Sequence, residues 1–190
     1  MLDKLKNIDN ALLLFINHHH TPFFDGFMMM MSNRFVWIPL YLGLALLAFR
    51  KYGWRSLLLI VCAGLAVAMS DQLASHLVKN LVKRYRPSHN LVLSQQLHYV
   101  NNYLGGLYGF ASSHAANTVA LALFLTLAMP RMPLLSVFLF CWVGLVCYSR
   151  MYLGVHYPSD IAGGAIIGAL SALVMFRVYN LIRANAAQSK

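Results

Sequence analysis

Three short motifs along this chain carry the side chains that could cleave a phosphate ester. The first is Lys79 with Arg86 and Pro87, the second is the tetrapeptide ASSH at 111–114, and the third extends over 149–160. Together they supply three cations, two histidines, a carboxylate and a hydroxyl group. Arginine can bind phosphate through two parallel hydrogen bonds, and lysine contributes a compact charge. Such a set can support cleavage of a phosphate ester without a metal ion.

The third motif is the most specific. Arg150 follows Ser149, His156 comes six residues later, and Asp160 follows after four more. Four fixed residues at these spacings arise by chance about once in 10^5 start positions, taking each type at about 5% of a sequence. Pro158 suits the first position of a helix, so Asp160 could reach back to the His156 ring and leave its other nitrogen free to attack. The alternatives are an acid that complements the helix dipole and an ordinary interfacial histidine.

The first motif is less specific on its own. Lys79 and Arg86 are two helical turns apart with Lys83 between them, so a helix would present all three on one face. Pro87 then disfavours helix at Arg86 and helps to end it. The alternative is a set of basic side chains that extend from a helix end to the membrane interface.

The second motif precedes an apolar run with helical character. Ser112 is a preferred N-cap residue, and the free N–H groups of a helix start, including that of Ser113, favour a bound anion. His114 would lie in the first turn, close to such an anion. The alternative is an ordinary serine cap followed by an interfacial histidine.

In this order, the three motifs resemble the signature of the type-2 phosphatidic acid phosphatase (PAP2) superfamily, in its membrane-embedded lipid phosphatase form. The resemblance covers about residues 55–180. The second motif of the family is usually Pro-Ser-Gly-His, which this chain matches at Ser112 and His114 and departs from at Ala111 and Ser113.

The resemblance implies a role for each matching residue. His156 would be the nucleophile that forms a phosphohistidine, Asp160 would orient and activate it, and His114 would protonate the leaving oxygen and later activate water. The phosphate would be bound by residues of all three motifs, namely Lys79, Arg86, Ser112, Ser113 and Arg150. No metal ion and no other cofactor is implied, and the absence of glutamate from the chain agrees with a metal-free site.

The composition is that of a membrane protein. Hydrophobic residues make up 59% and charged residues 11% of the chain, whereas soluble domains carry about 25% charged residues. We attribute the net charge of +10 to cytoplasmic loops and the phosphate site, and expect no nucleic-acid partner. Cys62, Cys141 and Cys147 lie in apolar runs and are predicted to be buried thiols rather than disulfides.

Four or five stretches could cross a bilayer, which takes about 20 mostly apolar residues. Residues 2–17 have apolar positions at helical spacing and are predicted as an amphipathic helix on the membrane surface. Residues 22–31 are predicted as a short inserted segment, with a sixth span over 11–31 as the alternative. The expected fold is an all-α polytopic membrane helical bundle with five or six transmembrane helices and an N-terminal amphipathic helix. It forms one domain over 1–190, with an N-terminal segment at 1–33, a motif-bearing core at 55–180, and spans near 35–50, 56–78, 112–130, 133–149 and 159–180.

The distribution of basic residues predicts the orientation, since they concentrate in cytoplasmic loops. The face opposite the motifs carries seven of them: Arg50, Lys51, Arg55, Arg131, Arg177, Arg183 and Lys190. The motif face also carries cations, including Arg34, but a phosphate site needs its own cations on either side. We therefore expect a bacterial inner (plasma) membrane protein whose active site faces the periplasm or the exterior.

Two features lie outside the motifs. The loop over 88–110 is rich in tyrosine and glycine, which suits an interfacial lid as well as it suits a plain connector. Asp71, Ser75 and Lys79 follow one another at i, i+4 and i+8 and form a polar stripe along the second span. Asp71 is either a structural hydrogen-bond partner or a support of the active site.

The predicted function is removal of phosphate from a lipid whose tails stay in the bilayer. The candidate substrates are undecaprenyl diphosphate, phosphatidylglycerol phosphate, phosphatidic acid and a lipid A phosphate. The alternatives are a lipid phosphotransferase, because an alcohol can attack a phosphohistidine as water does, and a non-catalytic lipid-binding or transport protein. The motifs bind only the shared phosphate and do not choose among these lipids, and the sequence gives no oligomeric state.

Overall fold

Helices form the regular structure of residues 2–188, which the computed structural model describes. In chain order they are α1 (Leu2–His18), α2 (Pro22–Ser32), α3 (Ile38–Tyr52), α4 (Ser56–Asp71), α5 (Lys79–Val82), α6 (Ser113–Ala128), α7 (Pro133–Tyr152) and α8 (Pro158–Gln188). A π-helical segment, Gln72–Val78, joins α4 to α5 without a break. Short 3₁₀ turns occupy Arg34–Trp37, Gly53–Arg55, Pro87–His89, Leu93–Gln96 and Val100–Asn102. The prediction of an all-α helical bundle is confirmed.

Three helical segments are long and apolar enough to cross a membrane: Arg34–Val82, Pro133–Tyr152 and Pro158–Ala186. The first contains both α3 and α4, which pack against each other on either side of Gly53, where φ is +56°. A shorter apolar helix, Ser113–Ala128, is the remaining predicted span. These segments correspond to the five predicted spans. Of the basic residues used for the orientation, Lys190 lies outside the described residues.

Helix α6 is the centre of the bundle and packs against α4, α7 and α8. Its inward positions are mostly alanine, and Phe124 is also fully buried. Helix α8 approaches α6 closely through Gly164 and Gly168, where an added Cβ would lie 2.3 Å from the Ser112 carbonyl oxygen and 2.2 Å from that of Ala116. These glycines therefore let the two helix backbones meet, and this contact sets the third motif beside the second.

Helix α1 is amphipathic, and one of its faces packs against protein. Leu13 is fully buried beside Leu97 and Tyr157. Asn17 is also buried and donates hydrogen bonds to the carbonyl oxygens of His98 and Tyr152, at 3.0 and 2.8 Å. The outer face keeps a second row of apolar side chains exposed: Leu5, Ile8, Leu12 and Phe15. The helix is thus part of the fold as well as suited to the membrane interface.

The prediction that all three cysteines are buried is wrong for one of them. Cys62 and Cys147 are buried, but Cys141 is exposed on α7. An apolar helix that faces lipid exposes apolar side chains, so the apolar sequence around Cys141 does not distinguish lipid from core. All three are free thiols, as the sequence predicts.

Candidate active site

The three motifs meet at one end of the bundle. Lys79 lies on α5, and Arg86 lies in the extended segment that follows it. His114 is in the first turn of α6, Arg150 is in the last turn of α7, and His156 is in the turn that joins α7 to α8. The loop over 88–110 joins the first motif to the second at this end of the bundle, and α6 and α7 lead the chain away and back again to the third motif.

His156 and Asp160 form a buried hydrogen-bonded pair. The His156 Nδ1 lies 3.3 Å from the Asp160 Oδ2, and the side chains are 1% and 0% exposed. The same carboxylate oxygen accepts a hydrogen bond from the Tyr157 N–H at 3.1 Å. Since a carboxylate oxygen is an acceptor, Nδ1 carries the proton of His156, and Nε2 keeps its lone pair. This contact is the one that the spacing of the third motif predicts.

Burial lowers the pKa of His156 well below its usual value of 6.5. The positive charges of Arg86, Arg150 and Lys79 lower the pKa further. Both effects disfavour the protonated ring, because one removes water from it and the other repels its charge. His156 is therefore a neutral imidazole at neutral pH, which is the form that can act as a nucleophile.

Three cations lie around His156: Lys79, Arg86 and Arg150. Arg150 and Arg86 are only 2% and 7% exposed, and Lys79 is half-buried. Within the part of the chain that the structure describes, none of the three forms a salt bridge. Burial, and then the charge of Arg150, lowers the pKa of Arg86 to about 10, so it remains a cation at neutral pH.

Arg150 also has an unused donor. Its terminal nitrogens donate to the Ser32 hydroxyl and to the Tyr103 hydroxyl, the latter at 3.3 Å. Its Nε is buried and has no hydrogen-bond partner among the described residues. Buried donors and charges without partners are costly, and an anion is the kind of ligand that would satisfy them.

Ser112 begins α6 in the way the sequence predicts. Its hydroxyl oxygen accepts from the Ala115 N–H at 3.5 Å, and its own N–H donates to the Asp160 carbonyl oxygen at 3.0 Å. The N–H groups of Ser113 and His114 are the ones in this first turn that the helix itself does not use. Ser112 is fully buried and holds the second motif against the third, so its backbone is structural while its hydroxyl proton can still be donated.

His114 is held through one of its ring nitrogens. Its Nε2 lies 3.2 Å from the Ser32 carbonyl oxygen, which can only accept a hydrogen bond. Nε2 therefore carries a proton, and Nδ1 is the nitrogen that is free to gain or lose one. A histidine anchored in this way is suited to general acid and base work.

The prediction that one helix presents Lys79, Lys83 and Arg86 on a single face is wrong, because the helix ends before Lys83. Helix α5 ends at Val82, and Lys83 takes a left-handed conformation with φ of +48° and is exposed. The chain then runs extended, and the Arg86 N–H donates to the Leu107 carbonyl oxygen at 3.1 Å. Arg86 reaches the site because the loop pairs with this segment, which no helical spacing could predict.

Two further charged residues at the site were not assigned a role from the sequence. One terminal nitrogen of Arg84 donates to the Asp160 Oδ1 at 3.0 Å and to the Ser159 hydroxyl at 2.6 Å. The other donates to the Asp9 Oδ2 at 2.8 Å. Asp9 also accepts from the N–H of Ser159 at 2.9 Å and from its hydroxyl. The sequence carried no usable signal for these contacts, because they depend on the extended course of 84–86 and on the packing of α1.

The loop over 88–110 packs directly on the site. Its Tyr103 hydroxyl contacts Arg150, and the Tyr108 carbonyl oxygen accepts from the Arg86 Nε at 3.1 Å. A Cβ added to Gly109 would lie 2.8 Å from the Asp160 Oδ2, so only glycine allows the backbone to pass this close. These contacts are those of a cover over the site rather than of a plain connector.

Comparison with known proteins agrees with this arrangement. Residues 54–184 match the PAP2 superfamily. A lipid A 4'-phosphatase of Bacteroides thetaiotaomicron is 35% identical over 186 residues, which is 97% of this chain and 82% of that protein. The crystal structure of LpxE from Aquifex aeolicus has a TM-score of 0.67 at 22% identity and covers 88% of this chain and 93% of its own. The crystal structure of a transmembrane PAP2-type phosphatidylglycerolphosphate phosphatase from Bacillus subtilis has a TM-score of 0.66 at 21% identity. The match covers 94% of this chain and 88% of that protein's chain.

The chain therefore belongs to the PAP2 superfamily, as the three motifs predict. It is a phosphatase, and hence a hydrolase, that is embedded in a membrane.

Proposed function

We propose that this phosphatase removes a phosphate group from a membrane lipid through a phosphohistidine on His156. The observation that carries the proposal is a neutral histidine surrounded by two buried cations and one half-buried cation, none of which forms a salt bridge among the described residues. Lys79, Arg86 and Arg150 offer positive charge to a phosphate, and their fixed positions would stabilise the charge that develops in the transition state. The N–H of Ser113 and the hydroxyl of Ser112 add hydrogen bonds at the start of α6.

The reaction proceeds in two steps on these residues. In the first, the His156 Nε2 attacks phosphorus and the bond from phosphorus to the lipid oxygen breaks. His114 enters this step protonated on both ring nitrogens and gives its Nδ1 proton to that oxygen. In the second, His114 takes a proton from water, the water oxygen attacks phosphorus, and the phosphorus–nitrogen bond breaks. Inorganic phosphate leaves, and both histidines return to their starting states. Throughout both steps, Asp160 accepts a hydrogen bond from the Nδ1–H of His156 and stabilises the positive charge on the ring.

We propose that the reaction needs no metal ion. Among the described residues, one group of three side chains could hold a metal: His20, Asp25 and His98. None of these belongs to the motifs. The fixed cations at the motifs supply the charge that a metal would otherwise bring.

We propose lipid A, or a related phosphorylated glycolipid, as the substrate. The support is the lipid A 4'-phosphatase of B. thetaiotaomicron, whose similarity extends over 97% of this chain. The site lies at the end of apolar spans, so a lipid with its tails in the bilayer can present phosphate to it. The whole chain would act as one domain, with α1 contributing Asp9 to the site.

A release assay across four lipids tests this function. Purified protein in detergent is given lipid A, undecaprenyl diphosphate, phosphatidylglycerol phosphate or phosphatidic acid, and inorganic phosphate is measured with and without EDTA. We expect the highest kcat/KM for lipid A, and we expect the rate to survive chelation. No release from any of the four would overturn the function. Complete loss in EDTA, restored by one divalent ion, would overturn only the metal-free mechanism.

We propose that the active site faces the periplasm or the exterior of a bacterial inner membrane. The support is the basic set on the opposite face, including Arg50, Lys51 and Arg55. Gln95, in the loop that covers the site, and Lys51, at the end of α3, are both exposed and suit labelling.

Cysteine labelling tests this orientation. Gln95→Cys and Lys51→Cys are made separately in a background without the three native cysteines. Intact cells are then treated with a thiol reagent that cannot cross the membrane. We expect Gln95→Cys to react and Lys51→Cys to react only after lysis. The opposite pattern would place the active site in the cytoplasm.

A further inference from the structure

A large cavity extends from the active site into the apolar part of the bundle. Its volume is about 710 Å³, and it lies between α3, α4, α6 and α7. Ser113 and His114 line one end, and apolar side chains such as Ala48, Leu59 and Leu125 line the other. His114 also lines a second, smaller cavity with Tyr103 and Arg34. A lipid whose phosphate reaches His114 can therefore place part of its body in this space.

One wall of the cavity carries a polar group among these apolar side chains. The Asp71 Oδ1 accepts a hydrogen bond from the Asn117 Nδ2 at 2.8 Å and one from the Ser75 hydroxyl at 3.4 Å. Asn117 is itself fixed, because its Oδ1 accepts from the Ser70 hydroxyl at 2.8 Å. Asp71, Ser75 and Asn117 all line the cavity.

Among the described residues, only one oxygen of the Asp71 carboxylate accepts hydrogen bonds. Within the described part of the chain, both hydrogen bonds to Asp71 end on Oδ1, none ends on Oδ2, and Asp71 forms no salt bridge. An acid within a membrane span is costly and faces a polar partner or a cavity. A carboxylate can only accept hydrogen bonds, so the partner that suits Oδ2 is a donor.

The position of this acceptor relative to the phosphate follows from helix geometry. Asn117 is three residues after His114 on α6, and both line the same cavity. Three residues of α-helix advance about 4.5 Å along the axis. The acceptor thus lies roughly one helical turn deeper in the membrane than the histidine that would protonate the leaving oxygen.

We infer that Asp71, held by Asn117, binds a hydroxyl or amide N–H group of the lipid close to its phosphate. This inference rests on the proposed function and names a class of substrate. Glycolipids and amide-linked lipids carry such donors next to the phosphate. A diacylglycerol phosphate carries only ester oxygens there, which cannot donate. Asp71 is therefore a specificity-determining residue that favours the first class over the second.

A matched pair of lipids tests the inference. Ceramide 1-phosphate and phosphatidic acid are both two-chain phosphate monoesters, but only the first has an amide N–H and a hydroxyl near the phosphate. We expect the wild-type kcat/KM to be higher for ceramide 1-phosphate. We expect Asp71→Asn to lower the ratio of the two kcat/KM values about tenfold, because a hydrogen bond to a charged acceptor is stronger than one to a neutral acceptor. Asp71→Leu should bring the ratio close to one.

The control is Tyr41→Phe, which removes a hydroxyl group from another residue that lines the same cavity. It should leave the ratio unchanged. A wild-type protein that does not distinguish the two lipids would overturn the inference, as would a folded Asp71→Leu protein that keeps the wild-type ratio. If Asp71→Leu does not fold, the ratio for Asp71→Asn decides.

Lipid binding separates this inference from the proposed function. Retention of each lipid by the His156→Ala protein is measured by native mass spectrometry, with and without Asp71→Asn. Preferential retention of ceramide 1-phosphate that depends on Asp71 supports the site even if no lipid releases phosphate. Equal retention, with normal phosphate release from lipid A by the wild type, would refute the inference and leave the function standing.

Discussion

Replacing His156 with alanine is expected to lower kcat by about four orders of magnitude or more, the usual scale for loss of a catalytic nucleophile. The Nε2 of His156 holds the lone pair that attacks phosphorus, since Nδ1 is bonded to Asp160 at 3.3 Å. His114 lacks this carboxylate partner, since its Nε2 contacts the neutral Ser32 carbonyl oxygen, so we do not expect it to replace His156. The measurement is single-turnover release of phosphate from lipid A. His19 is an exposed histidine just after α1, and His19→Ala is the matched control that should keep full activity.

The covalent intermediate gives a second readout of the same change. Wild-type protein that is rapidly quenched with labelled substrate should carry a phosphate label that is stable in alkali and labile in acid. The label should map to the peptide that contains His156 and should be absent from the His156→Ala protein. A folded His156→Ala protein that still releases phosphate at a substantial rate would assign the nucleophile elsewhere.

The contact between His156 and Asp160 could be foreseen because it is local. Helix α8 begins at Pro158, because proline suits the first position of a helix. Asp160 lies in the first turn of α8, from which its side chain reaches back to His156. The N-cap at Ser112 was equally local, and the spans followed from apolar length. Each of these features depends on a few neighbouring residues, so the sequence determines them without knowledge of the whole fold.

The contacts of Arg84 and Asp9 could not be foreseen, because they depend on the tertiary fold. The residue pair Asp9 and Ser159 is 150 positions apart, and it forms only because α1 packs beside α8. The extended course of 84–86 depends on pairing with the loop near Tyr108. The lysines and leucines of α1 predict an amphipathic helix, but the same pattern fits a helix whose apolar face contacts lipid and one whose apolar face contacts protein. Sequence periodicity gives the face of a helix but not what the face contacts.

Replacing Asp160 with asparagine is expected to lower kcat by about three orders of magnitude, while the fold survives. The asparagine side chain nearly preserves the shape of the carboxylate, but it can present an N–H to His156 and so favour the wrong tautomer. It also removes the negative charge that stabilises the ring when the phosphohistidine forms. The measurement is again single-turnover release, with the melting temperature as a check of folding.

Arg84 provides the comparison that makes this prediction specific. Arg84→Gln removes the hydrogen bond to the Asp160 Oδ1 but leaves the carboxylate charge and the contact of Oδ2 with His156. We expect a loss of about tenfold to a hundredfold, which corresponds to one hydrogen bond to a charged group. Because both variants act through the same carboxylate, the Asp160→Asn and Arg84→Gln double variant should be no slower than Asp160→Asn alone. Additive losses would mean that Arg84 binds the phosphate directly instead of positioning Asp160.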